Sequence, residues 1–206
     1  MKYPEILLLP PMMFADYFLT VLGAVESEKT YARHFAREHY ELNPLWQKSI
    51  RQKRWFNPRH IILVIAANSA LIWLLEFGES PDGIVQALLG ALLVVFGTVI
   101  GRHVSNLLLF RYLAKHPDQI SGRVTMSHPL VVSTAMYQTI VVLVPTVLIA
   151  IFSRSAFALG GVIGIALLLC IQLVWRPSAK RPIAPTNAPP TQSAHDLRTN
   201  ASERTQ

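Results

Sequence analysis

Cysteine and charge are both scarce in this chain, and each shortage excludes a class of protein. The single cysteine, Cys170, excludes an intrachain disulfide and any metal site built on a CxxC pair. Only 15% of the 206 residues are charged while 51% are hydrophobic, which is too apolar for an ordinary soluble domain. The sequence also lacks a phosphate-binding loop, a nucleophile elbow and paired catalytic carboxylates, so no motif indicates a particular enzyme.

Long apolar segments dominate the sequence instead. Four of them are long enough, or nearly so, to cross a bilayer: 61–77, 84–101, 129–152 and 156–175. A fifth segment, 5–24, is interrupted by Pro10 and Pro11, and we expect a helix that begins at one of these prolines. This helix would be a short span, a re-entrant piece or a groove-bound helix. A secretory signal peptide is the alternative, which the two prolines and Leu22 disfavour.

Positive charge is unequally divided between the segments that link the spans. Segments 25–60, 102–128 and 176–206 contain 8, 4 and 5 Lys and Arg, which is 17 of the chain's 19. Because such residues collect on the cytoplasmic side, the pattern predicts a multi-pass inner-membrane protein with a cytoplasmic C-terminus. Anionic lipid at that surface accounts for the net charge of +7 without a nucleic-acid partner.

The predicted fold is all-α, a polytopic transmembrane helical bundle with interfacial cytoplasmic helices. Residues 1–24 form the short N-terminal helix, 25–60 a basic cytoplasmic helical hairpin, 61–175 a four-helix transmembrane bundle and 176–206 a proline-rich disordered tail. Within the third part, the helical pattern of 84–101 continues to Lys115 and stops at His116-Pro117.

The hairpin is predicted from helical periodicity and two Asn-Pro turns. Residues 26–41 have a helical pattern, and Asn43-Pro44 and Asn57-Pro58 would each begin a further helix. The helix 45–55 is expected to lie in the headgroup layer of an anionic inner leaflet. Its lipid-interface residues would be Trp46, Ile50, Arg51, Lys53, Arg54 and Trp55.

Two small-residue pairs are typical of close helix packing. Gly97 and Gly101 lie four residues apart in one span, as do Gly160 and Gly164 in another. They would pack helices within one chain or between two copies of it.

Asp16 is the strongest single functional candidate, because a carboxylate within an apolar segment needs a partner or water. Five further residues on the predicted cytoplasmic side complete a candidate polar cluster: Glu38, His39, Glu41, His60 and His103. The simpler alternative is an interfacial Asp16 paired with Lys or Arg. The histidine spacing does not favour a metal site, and we predict neither metal nor cofactor.

Polar residues inside the predicted spans are the remaining candidates. Asn68, Thr134, Tyr137, Gln138 and Gln172 could form hydrogen bonds between helices or line a transport path.

Four sequence blocks resemble uncharacterised prokaryotic integral membrane proteins. They are 16–20 (DYFLT), 39–44 (HYELNP), 54–60 (RWFNPRH) and 106–112 (NLLLFRY). The resemblance covers roughly residues 10–175 and implies a polytopic membrane protein with no known activity.

Two functional hypotheses follow from the sequence. The first is a non-enzymatic scaffold or partner-binding membrane subunit, with another membrane protein or a second copy as its partner, because no segment could form a soluble catalytic domain. The second is a small transporter or an interfacial membrane-embedded enzyme acting on lipid. A transporter predicts a polar cavity between helices, and an enzyme predicts converging Glu and His side chains beside a lipid-sized groove.

Overall fold

A computed structural model describes residues 2–37, 40–41, 43–78 and 81–176, without the side chains of Arg37, Pro44 and Glu76. The prediction of an all-α fold is confirmed, since the described residues are mostly helical. The α-helices are α1 (Leu9–Lys29), α2 (Tyr31–His34), α3 (Pro44–Arg51), α4 (Pro58–Phe77), α5 (Asp82–Lys115), α6 (His128–Ser153) and α7 (Ala156–Trp175). Single 3₁₀ turns cover Pro4–Leu8 and Pro117–Gln119, and two short strands are β1 (Phe35–Arg37) and β2 (Val124–Met126).

Five of these helices are long and apolar enough to cross a membrane: α1 with its preceding turn, α4, α5, α6 and α7. Helices α1, α5 and α7 run in one direction and α4 and α6 in the other, as the contacts between their ends show. We call the end where α1, α5 and α7 finish the basic end. At 34 residues, α5 is about 51 Å long, and it ends at Lys115 as predicted.

Helices α5 and α7 cross at a contact that only glycine permits. A Cβ atom on Gly160 would lie 1.8 Å from the carbonyl oxygen of Ala87, and one on Gly90 would lie 1.9 Å from that of Phe157. A Cβ on Gly164 would lie 2.6 Å from the Ala91 oxygen. The packing role predicted for Gly160 and Gly164 is therefore confirmed, and Gly90 on the facing helix was not predicted.

The same role is wrong for Gly97 and Gly101 within the chain. A Cβ on Gly101 would meet no atom within 4 Å, and one on Gly97 would meet only the Met12 methyl at 3.8 Å. Two glycines four residues apart give a helix a face without side chains, but the sequence does not show whether another helix packs on that face. Packing of this pair between two copies of the chain stays a prediction.

The N-terminal segment is part of the core. Helix α1 begins at Leu9, directly before the predicted start at Pro10. Ile6 and Leu9 are buried against Val85 and Leu89 of α5. At the start of α5, the Asp82 carboxylate accepts hydrogen bonds from the Tyr3 hydroxyl at 2.7 Å and from Lys2 Nζ at 2.5 Å.

The predicted helix over 26–41 is wrong beyond Lys29. Thr30 breaks the helix, α2 forms one turn, and β1 then pairs in parallel with β2 so that Phe35 lies opposite Val124. This pairing joins segments almost ninety residues apart, so no local pattern reveals it. It ties the connection after α1 to the connection between α5 and α6 at the basic end.

Helix α3 packs against the protein, so the lipid-facing prediction is wrong for Trp46 and Ile50. Ile50 is only 2% exposed, against Tyr17 and Val21 of α1, and the Trp46 ring meets the Tyr17 ring edge-on at 6.3 Å between centroids. A strongly two-sided helix can turn its apolar side to lipid or to protein, and here α1 supplies an apolar surface.

The two Asn-Pro turns begin helices, as their sequence predicts. The Asn43 and Asn57 side chains each cap the next helix, accepting backbone N–H groups of Leu45 and Arg59 at 3.1 Å. The remaining residues of the predicted lipid interface lie toward the surface: Arg51, Arg54 and Trp55 are exposed, while Lys53 is partly buried and pairs with Glu28. The predicted tail, apart from Arg176, lies outside the described residues.

Candidate functional site

A cavity of about 280 Å³ opens at the basic end between α1, α4, α5 and the segment before α3. Four of the six residues of the predicted polar cluster line it, namely Asp16, Glu41, His60 and His103. The other two, Glu38 and His39, lie outside the described residues. The cavity wall also includes Arg102 of α5, Gln138 of α6 and Gln172 of α7.

The length of α5 before Arg102 indicates how deep in a membrane the cavity would lie. Arg102 follows Asp82, the first residue of α5, by about 30 Å of helix. The hydrocarbon core of a bilayer is also about 30 Å thick. If α5 crosses a membrane from its first turn, the cavity lies where hydrocarbon meets headgroups.

Asp16 and His103 meet inside the cavity wall. Asp16 Oδ1 lies 3.1 Å from His103 Nε2, a contact that is electrostatic because this buried oxygen has no hydrogen-bond donor among the described residues. The Thr20 hydroxyl donates to the Asp16 backbone carbonyl at 2.7 Å, so its oxygen accepts from His103 Nε2–H at 3.1 Å. This bond assigns the proton to Nε2. It leaves His103 Nδ1 buried with no hydrogen-bond partner in the described part of the chain.

His60, at the start of α4, has a similar arrangement. Its Nε2–H donates to the Met13 backbone carbonyl at 3.2 Å, and its Nδ1 is buried without a partner among the residues described. The ring stacks on Tyr17 at 4.6 Å and meets the Trp46 ring edge-on at 5.5 Å. The aromatic contacts and the α1 carbonyl together fix the orientation of this imidazole.

Glu41 and Arg102 place opposite charges near Asp16. Burial raises the pKa of the Glu41 carboxyl, although the Asn43 backbone N–H donates to Glu41 Oε1 at 2.7 Å and favours the charged form. The Arg102 guanidinium interacts electrostatically with Glu41 and Asp16, but no carboxylate of a described residue forms an ion pair with it. The cavity therefore contains a guanidinium and two carboxyl groups, and neither carboxyl group forms an ion pair with the guanidinium.

The polar residues inside the spans lie in different environments. Gln172 of α7 forms a buried hydrogen bond with Thr139 of α6, at 3.2 Å from Nε2 to the hydroxyl, so it joins two helices as one prediction had it. Asn68 bonds mainly within α4, donating to the Val64 carbonyl at 2.7 Å. Tyr137 is 66% exposed on the outside of α6.

Arg102 was counted among the four Lys and Arg of segment 102–128 and was not predicted as a site residue. A signal for its role was present, because the helical pattern continues past it to Lys115 without a break. A charged residue inside an uninterrupted helix has to face water, a partner or a cavity. Tyr17 and Trp46 gave no such signal, since aromatic residues are equally common at lipid surfaces.

No three His, Cys, Asp or Glu side chains of the described residues are placed to hold one metal ion. Comparison of the chain with protein-family models, curated proteins and solved structures gives no match. A functional inference for this chain therefore rests on the chemistry of the cavity.

Proposed function

We propose that the chain is a multi-pass protein of the inner membrane, with its basic end toward the cytoplasm. Large apolar side chains on the outside of α4, α6 and α7 support this, since Trp73 is 66%, Phe152 83% and Val174 75% exposed. A soluble protein rarely exposes so continuous an apolar surface. The concentration of 17 of 19 Lys and Arg in three segments sets the orientation.

Reporter fusions test this orientation. A reporter active only in the periplasm should work after Gly78 and fail after His116 and Gln206, and a reporter active only in the cytoplasm should give the reverse pattern. Periplasmic activity after Gln206 would contradict the orientation.

We further propose that the protein binds a small polar ligand in the cavity at its basic end, as a transporter or an interfacial enzyme would. One observation carries this proposal. Asp16, Glu41, His60 and Arg102, from four separate segments, converge on a cavity, and Asp16 Oδ1 and the Nδ1 atoms of His60 and His103 have no hydrogen-bond donor among the described residues. A scaffold has no need for such a site.

The energetics favour a ligand over a purely structural role. A buried polar atom without a partner lowers the free energy of unfolding by about 1–3 kcal/mol, so a cluster of such atoms destabilises the protein. Such a cost is commonly found at functional sites, where the bound ligand supplies the missing partners.

Replacing site residues with apolar ones tests this reading without knowledge of the ligand. The double variant Asp16→Leu/His103→Leu should raise the free energy of unfolding by about 1–2 kcal/mol, because it replaces both members of a buried, poorly satisfied polar pair by apolar groups. The hydroxyl of Thr20 still has the Asp16 backbone carbonyl as its acceptor in the double variant. The measurement is reversible unfolding of the full-length protein in detergent micelles.

Asn57→Ala provides the matched control. Asn57 is also a buried polar residue, but its side chain caps α4 and donates to Ser49 Oγ at 3.2 Å. Its removal should lower stability by about 1 kcal/mol. A loss of similar size in the double variant Asp16→Leu/His103→Leu would mean that the cluster is structural, which favours the scaffold hypothesis.

A further inference from the structure

An apolar groove of about 510 Å³ runs between α5 and α6. It exists because both helices pack along α7 but touch each other at few points. Gly97 and Gly101 form the floor on the α5 side, and Val141 and Val142 lie on the α6 side. The groove follows α5 from Val94 to Ser105, which is about 17 Å of helix.

The groove and the polar cavity adjoin. Arg102 and Gln138 line both of them, so the groove ends where the charged side chains begin. A molecule lying across this junction would have an apolar part between the helices and a polar part in the cavity. A membrane lipid has these two parts. It would enter from the bilayer between α5 and α6, and its headgroup would lie beside Arg102.

The charges at the junction identify the kind of headgroup. Arg102 is a planar cation suited to bidentate contact with a phosphate, and no described residue forms an ion pair with it. Asp16 supplies a carboxylate, and its side chain is 29% exposed. A headgroup that carries both signs complements this pair.

The surplus of acceptors narrows the choice of cation. No described residue donates a hydrogen bond to Asp16 Oδ1, and the partly exposed Asp16 side chain can be reached from the cavity. A primary ammonium has three N–H groups to donate, whereas a trimethylammonium group has none. Burying trimethylammonium here would leave the Asp16 carboxylate unsatisfied.

We propose that the ligand is a zwitterionic phospholipid with a phosphate and a primary ammonium in its headgroup. Arg102 binds the phosphate, Asp16 binds the ammonium, and one acyl chain lies in the groove between α5 and α6. This proposal rests on the proposed ligand-binding function and adds the identity of the ligand class.

The test is native mass spectrometry of the full-length protein titrated with three phospholipids of identical acyl chains. Their headgroups are phosphoethanolamine, phosphocholine and phosphoglycerol. We expect the phosphoethanolamine lipid to bind about tenfold more tightly than either of the others, the effect of one added charge-assisted hydrogen bond. Arg102→Gln and Asp16→Asn should each abolish the preference. Arg111→Gln, an exposed arginine on the same helix, should retain it.

A second variant tests the groove separately and does not depend on the charged residues. Gly101→Leu places a side chain where an added Cβ meets no atom within 4 Å, so the fold should tolerate it. It should weaken the phosphoethanolamine lipid about tenfold by filling the groove. Glycerophosphoethanolamine, which has no acyl chains, should bind weakly and equally to wild type and Gly101→Leu.

Equal binding of the three lipids would overturn the proposal, as would a preference that survives both Arg102→Gln and Asp16→Asn. Glycerophosphoethanolamine binding as tightly as the intact lipid would overturn the role of the groove. None of these results bears on whether the cavity binds some polar ligand, because the stability of the double variant Asp16→Leu/His103→Leu tests that function independently.

Discussion

Gly160→Ala is expected to destabilise the protein by about 3 kcal/mol, the upper end of the usual cost of overpacking. The added methyl carbon would lie 1.8 Å from the Ala87 carbonyl oxygen and 2.5 Å from the Ala87 Cα. Both are backbone atoms of α5, which cannot rotate away as a side chain can. The two helices would have to separate along their whole contact.

The other glycines supply a graded series in the same assay, unfolding in detergent micelles. Gly164→Ala should cost less than Gly160→Ala, since its nearest contact would be 2.6 Å. Gly101→Ala has open space around it and should stabilise the protein by about 0.5–1 kcal/mol, because alanine favours the helix more than glycine does. If Gly160→Ala were tolerated as well as Gly101→Ala, α5 and α7 would not cross at this point.

Stability is expected to fall as the pH rises through the range in which Glu41 loses its proton. The ordinary pKa of a glutamate is 4.5, and burial raises it in the folded protein. Between pH 4.5 and the raised pKa, the unfolded chain is ionised at this position while the folded protein retains the proton. Each pH unit in that window therefore lowers stability by about 1.4 kcal/mol, and the loss levels off above the raised pKa.

Glu41→Gln should remove this decline, because glutamine cannot ionise. Asp16, Arg102 and His103 act electrostatically on Glu41, and they are present in both proteins. The difference between the two unfolding curves across pH therefore isolates Glu41. Glu5→Gln, at an exposed glutamate, is the control and should follow the wild type. Parallel curves for wild type and Glu41→Gln would show that the Glu41 carboxyl is ionised in the folded protein at low pH.

The two glycine pairs have the same spacing but different surroundings within the chain. Gly160 and Gly164 contact the backbone of α5 closely, whereas Gly97 and Gly101 line the groove between α5 and α6. The difference depends on which side of each helix the rest of the bundle occupies. Helix α3 shows the same limit, since its apolar side suits lipid and protein equally, and the surface of α1 determined the outcome.

The candidate site was also predicted only in part from the sequence. Asp16 was identified from the sequence because a carboxylate inside an apolar segment is costly wherever that segment lies. Arg102 was not, although its neighbour His103 was. Its position in the cavity depends on the parallel packing of α1 against α5, which brings positions 16 and 103 together across more than eighty residues of chain.

The sequence by itself determined the helical composition, the five apolar helices, the asparagine caps and the concentration of positive charge in three segments of the chain. These properties depend on residues within a few turns of one another, where hydrophobicity and local hydrogen bonds act directly. Only the tertiary structure decided the pairing of β1 with β2, the crossing of α5 and α7, and the cavity with its adjoining groove. Each of these depends on contacts between segments that are distant in the sequence. Such contacts contribute to the free energy of folding only after the helices have packed.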